Sequence, residues 1–170
     1  MIKNSTVEIH KLEYQIPASV IFEYVTQLPC PVWLDSGYPA ANHGRFDIIS
    51  ASPECTLAAE TTSVIEVQNF LSNAQSQLER LGQPTPSTSI PFQGGLIGYL
   101  GYDLDRELCE LPQRTAESEQ THIADQVPKG YLGLYLWAFI YDHHSQSSQV
   151  IFHPHCDAAL KARVLGFVEE

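Results

Sequence analysis

The residues with the most conspicuous spacing lie in PFQGGLIGYLGYDL, Pro91–Leu104, where Gly94, Gly95, Gly98 and Gly101 sit among aromatic and aliphatic side chains. A glycine run can cradle phosphate when its backbone N–H groups converge. That chemistry needs GxxxxGK[ST], or GxGxxG opening a helix after a strand. Neither pattern occurs, and no Lys or Arg lies between Pro91 and Asp105. The run reads instead as strand backbone that approaches a neighbour too closely to leave room for a Cβ.

Histidine and cysteine offer metal chemistry in two places, His143–His144 and His153-Pro154-His155-Cys156. A zinc site needs four converging ligands, or three and a water. His153, His155 and Cys156 alternate poorly for convergence, and the His143–His144 pair falls in the polar turn DHHSQSS. They read as solvated loop histidines, and no metal site is expected. Cys30, Cys55, Cys109 and Cys156 lie far apart with no CxxC, the pattern of reduced thiols. No GxSxG elbow is present, and the acid pairs Asp103/Asp105 and Glu117/Glu119 read as turn and surface residues. No catalytic residue is assigned.

Asp35-Ser36 and Arg45-Phe46 are of more interest, because they occupy facing strand ends across the loop GYPAANHG. Such a place offers a hydroxyl, backbone amides and the ring face of Phe46 to a small ligand. The plainer reading is a hairpin packed into the core, and pattern alone favours it while leaving the ligand reading open.

Composition narrows the partners. The 170 residues are 44% hydrophobic and carry 20 acidic against 9 basic side chains, a formal net charge of -11. Nucleic-acid affinity comes largely from Lys and Arg displacing counterions, so DNA and RNA are excluded as partners. The longest apolar stretch, Tyr131–Tyr141, is about half of the roughly 20 residues a membrane span needs. The N-terminus lacks the apolar core of a signal peptide, so a cytoplasmic location is expected.

The elements that must position these residues follow from periodicity. A strand is expected near Val7–Tyr14, then a helix opened by Pro17 with Val20, Ile21, Tyr24, Val25 and Leu28 on one face. VWLDS, RFDIISA and CTLAAE read as short strands. Ser63 and Glu66 form a capping-box pattern for a helix whose apolar face is Val67, Phe70, Leu71, Ala74, Leu78 and Leu81, ending at Gly82. QPTPSTS is a connector and AESEQTHIADQ an exposed acidic loop. YLGLYLWAFIYDHHSQSSQVIFHPH reads as one hairpin of two strands. Asp157 caps a final helix whose two terminal glutamates oppose its dipole, which implies that the protein continues beyond residue 170. The fold class is α+β: a mostly antiparallel, sandwich-like sheet with a few packed helices, in a single domain over residues 1–170.

LDSG (Leu34–Gly37), GRFDIISASP (Gly44–Pro53), the glycine run, and the segment from Pro128 to Asp142 containing Gly130 and Trp137 together resemble the N-terminal region of the chorismate-utilising enzymes. RFDIISASP is more similar to the aminodeoxychorismate branch than to the anthranilate synthase large subunit. The resemblance implies that the whole enzyme aminates chorismate to 4-amino-4-deoxychorismate, with ammonia from a glutamine amidotransferase subunit and magnesium on the chorismate carboxylate. It places the catalytic residues in a C-terminal chorismate-binding portion and none in this chain. It also implies an L-tryptophan site at Ser36, His43, Gly44, Arg45 and Phe46, or, in the anthranilate alternative, a tryptophan-binding regulatory module.

Overall fold

The computed structural model describes residues 6–41, 43–82, 90–102, 104 and 127–168. The connector QPTPSTS, the acidic loop, Asp103, Asp105 and Cys109 lie outside them. The architecture is α+β, built from three helices and two sheets among the described residues. The chain divides into two compact units, one drawn from residues 1–54, 81–95 and 135–170, the other from 55–80 and 96–134.

In the first unit, β1 (Glu8–Leu12), β2 (Val32–Leu34), β3 (Phe46–Ser50), β7 (Trp137–Asp142) and β8 (Ser147–Phe152) form a five-stranded sheet in the order β1-β8-β7-β3-β2. Every pairing in it is antiparallel. Alternation along β3 sends Phe46 and Ile48 to one face and Asp47 and Ile49 to the other. Ile140, Ala138 and Ile151 share the face of Phe46 and Ile48, closed by Ile90 and Phe92. Trp137, Phe139 and Val150 are fully buried, and the Trp137 indole N–H donates to the Ala51 carbonyl at 2.8 Å. Each such large side chain contributes roughly 1.5–3 kcal/mol on leaving water.

Helix α1 (Ala18–Val25) buries Ile21 and Val25 and leaves Val20 exposed. Pro17 stands at its N-cap, just before the expected first turn; its fixed φ suits that entry and its missing N–H is no loss there. Helix α3 (Ala158–Gly166) starts where expected, with Asp157 Oδ1 accepting the Ala159 and Leu160 amides at 2.9 and 3.0 Å.

The second unit is a three-stranded sheet, order β4-β6-β5, carrying helix α2 (Val64–Leu81). Its strands are β4 (Thr56–Ala59), β5 (Gly95–Leu100) and β6 (Gly130–Tyr135). Val67 and Phe70 of α2 pack with Ala59 and Leu104, with Leu57 and Leu132 against them. Leu71 and Leu78, expected on the buried face, are 44% and 46% exposed, so the covered stripe is narrower than the apolar one. The cap also differs in detail. Ser63 Oγ meets the Glu66 amide at 3.4 Å, while the Glu66 carboxylate takes the Glu60 and Thr61 amides instead of returning to Ser63. Gly82 follows the helix at φ +70°, the left-handed C-terminal residue foreseen.

One expectation is corrected. The stretch read as the first arm of a hairpin is two strands, β6 and β7, interrupted at Leu136. Only β7 and β8 form the hairpin; β6 pairs with β4 in the other sheet. Hydrophobicity is continuous through Leu136, and the break is set by pairing partners distant in sequence.

Candidate functional site

The side chains around the loop from Asp35 to Arg45 are organised by Asp47, which is 5% exposed. Its Oδ1 accepts the Ser36 amide N–H at 2.9 Å and the Ser36 hydroxyl at 2.8 Å. Its Oδ2 lies 3.2 Å from His143 Nε2, close but off the direct hydrogen-bond line. His143 Nδ1 is 2.8 Å from the Tyr14 hydroxyl, and its ring stacks on Tyr38 at 4.4 Å and 9°. The Tyr38–Pro39 bond is cis. Burial pushes the Tyr141 hydroxyl up to about 12, with the nearby Asp47 charge adding to it; burial also raises Tyr14.

This arrangement corrects the reading of His143 as a solvated turn residue. Its side chain is 10% exposed and serves three distant elements at once. His144 is exposed, as expected of the turn.

The five residues implied as a ligand site divide into two groups. Ser36 and Gly44 are in direct contact: a Cβ on Gly44 would lie 2.8 Å from the Ser36 carbonyl oxygen and 3.2 Å from its Oγ. Arg45 and Phe46 turn towards the opposite sheet face from Asp47. Arg45 Nε and an Nη atom pair with the two Asp142 carboxylate oxygens at 3.2 and 3.0 Å, and the guanidinium lies 4.4 Å from the Phe46 ring centre. That hydrogen bond holds the Asp142 carboxyl down at about 2. Arg45, Phe46, Ile140, Asp142, Ser145, Ser147 and Gln149 line an open cavity of about 310 Å³; Ser36 is not among its walls. His43 is exposed in the turn. The structure therefore brings Ser36 to Gly44, and Arg45 to Phe46, but does not gather the five side chains around one cavity.

The sequence does not single out Asp47, Tyr14 or Tyr38, and it presents His143 only as a turn histidine. Asp47 carried one local signal, a carboxylate in the middle of the apolar strand FDIIS. Tyr14 and His143 carried none, being 129 positions apart.

At the other histidine cluster, burial pushes His153 down to about 4, and its Nδ1 accepts the His155 amide at 3.2 Å. Its ring packs against Gly94, where a Cβ would come within 3.1 Å. Among the described residues no three His, Cys, Asp or Glu side chains come together as a metal site. Cys156 is a buried free thiol, and burial pushes it up to about 11.

The glycine run behaves as close-packed backbone. A Cβ on Gly98 would fall 1.9 Å from the Tyr131 carbonyl oxygen, and one on Gly101 2.5 Å from that of Lys129. Among the described residues no helix is long and apolar enough to cross a membrane.

No family model matches the chain. Individual relatives do. The chain is 34% identical over 152 residues to aminodeoxychorismate synthase component 1 of Escherichia coli, covering 82% of this chain and 32% of the relative. It is 38% identical over 147 residues to the protein of that name from Salmonella typhimurium, covering 81% and 31%. A third, from Klebsiella aerogenes, is 33% identical over 136 residues, covering 74% and 29%. The chain thus spans about a third of the length of the curated relatives it matches. Over most of its own length the chain is similar to one portion of aminodeoxychorismate synthase component 1.

Proposed function

We propose that this chain is the N-terminal portion of a component 1 subunit that aminates chorismate to 4-amino-4-deoxychorismate in the folate pathway. The observation that carries the reading is the similarity itself, spread over 74–82% of the chain and confined to about a third of each relative. In this reading ammonia comes from a glutamine amidotransferase partner. Magnesium and the reacting groups belong to the portion of the relatives that the chain does not span. The described residues offer no set of three carboxylate, His or Cys ligands for the metal, and no catalytic step is assigned to them. The chain's own contribution is scaffold and ligand site. The test is to supply the full-length gene product with a glutaminase subunit, glutamine and chorismate. Aminodeoxychorismate is the expected product; anthranilate would move the protein to the other branch.

Within that assignment the loop from Ser36 to Phe46 takes a free amino acid, L-tryptophan. The support for this is the Ser36 hydroxyl, fixed by a buried carboxylate beside a glycine whose Cβ would come within 2.8 Å of the Ser36 carbonyl oxygen. Calorimetry with the chain and L-tryptophan checks it: binding heat is expected, weakened by Ser36→Ala. No heat at millimolar tryptophan would remove the ligand reading and leave the amination reading intact.

A further inference from the structure

We infer that the open edge of β4 takes an extended polypeptide segment as an added antiparallel strand, lying in the groove beside α2 with a cationic residue at its first position. This binding is separate from the amination and amino-acid readings above and does not depend on them.

β4 is an outer strand of its sheet, and among the described residues no strand pairs with its far side. The Leu134 amide donates to the Cys55 carbonyl at 2.9 Å and the Lys129 amide to the Ala59 carbonyl at 2.6 Å, while Leu57 lies opposite Leu132. Backbone groups alternate in direction along an antiparallel strand. Cys55, Leu57 and Ala59 therefore turn theirs towards β6, and Thr56 and Ala58 turn N–H and C=O outwards. Sheet edges are usually blocked by charge, proline or brevity. β1 carries Glu8, His10 and Lys11, and β2 has three residues behind Pro31. β4, Thr-Leu-Ala-Ala, has no charge and no proline.

Between β4 and α2 runs an open groove of about 580 Å³, walled by Thr56, Leu57 and Ala58 on one side and by Ile65, Asn69 and Asn73 on the other. Ile65 is 74% exposed, an apolar side chain left at the rim. Leu57 and Ala59 share the strand face that packs on α2, so side chains of an added strand lying opposite them meet the same apolar surface. Charge selects the occupant. Glu66 lines the groove with its carboxylate accepting the Glu60 and Thr61 amides, Glu60 is exposed beside it, and no Lys or Arg is among the described lining residues. Both acids stand at the C-terminal end of β4, where an antiparallel strand begins. A cationic first residue is attracted there, whereas a second copy of this chain, with its net charge of -11, is repelled.

The probe is the acetylated hexapeptide amide Lys-Val-Thr-Val-Thr-Val, titrated into the chain at low salt and followed by calorimetry. Its second and fourth residues then lie opposite Ala59 and Leu57, and its third and fifth opposite Ala58 and Thr56. Binding is expected, weakened about threefold or more when Glu replaces the first Lys. N-methylation of the third residue removes a donor to the Ala58 carbonyl and should weaken binding about fivefold or more. N-methylation of the fourth residue, whose N–H faces away from β4, should change little. Ala58→Pro spares the ladder with β6, because the Ala58 N–H points outwards, and should abolish binding. Far-ultraviolet dichroism shows whether that variant keeps its fold, and the peptide comparisons on the unsubstituted chain stand without it. Equal losses from the two N-methyl groups, equal binding of the Lys and Glu peptides, or no heat from the parent peptide at millimolar concentration would each overturn the inference. So would a dimer in sedimentation that Ala58→Pro dissociates, since the edge would then be closed by a second copy.

Discussion

The Asp47 end of the five-stranded sheet and the glycine-lined edge of the three-stranded sheet reach close approach by opposite means. At Asp47, polar side chains draw a loop onto a sheet: Ser36, His143, Tyr14 and Tyr38 converge through directed contacts. At Gly98 and Gly101 the approach depends on having no side chain, because carbonyl oxygens of Tyr131 and Lys129 occupy the space. The first arrangement orients a hydroxyl, a carboxylate and an imidazole against one another. The second consumes its polar groups in the ladder and offers shape alone. A motif that attracts notice in a sequence can therefore be scaffold, while the chemistry sits on residues with no motif.

Gly98→Ala should have the largest effect. The atoms in its way are backbone, which cannot rotate aside, so a loss of about 3 kcal/mol or more is expected in urea unfolding. A loss under about 1 kcal/mol would mean that β5 and β6 can separate freely. Asp47→Ala comes next, at about 2–3 kcal/mol, since it strands the Ser36 amide and hydroxyl without their acceptor. If it proves as costly as Gly98→Ala, the contrast between the two regions is one of chemistry and not of stability.

Gly82→Ala sharpens the glycine side. Nothing lies within 4 Å of its would-be Cβ, so only the left-handed φ of +70° is at stake, about 1–2 kcal/mol. Arg45→Gln should be smallest. Its pair with Asp142 is exposed on the arginine side and screened. The folded carboxyl sits at about 2 against an ordinary 3.8, so the pair's stabilisation is full above 3.8 and disappears as pH falls through 2. The variant should therefore match the parent at pH 2 and fall only slightly below it at pH 7, read from melting temperatures.

What could be read in advance follows the range of the forces involved. The Asp157 cap and the Gly82 terminus are local, settled by residues three or four apart, and both stand where expected. The close approach at Gly98 was legible because glycine spacing has few other uses in a strand. The break at Leu136 was not, because β6 and β7 differ only in what they pair with. Nor was His143, whose polar neighbours in DHHSQSS describe a turn while its partners come from Tyr14, Tyr38 and Asp47. The covered stripe on α2 lies between these cases: its period was correct, but periodicity does not say how wide a neighbour will cover it.

Both tryptophans of the chain, Trp33 and Trp137, belong to the unit built on the five-stranded sheet. Trp137 is fully enclosed with its indole N–H bonded, and Trp33 lies against the Phe22 ring at 5.4 Å. The unit with the glycine-lined strands has tyrosine but no tryptophan. Red-edge-excited fluorescence therefore watches one half of the molecule, while far-ultraviolet dichroism, through α2, watches the other as well. Melting curves from the two signals will superimpose if the halves unfold as one and will part if they do not, with no label added.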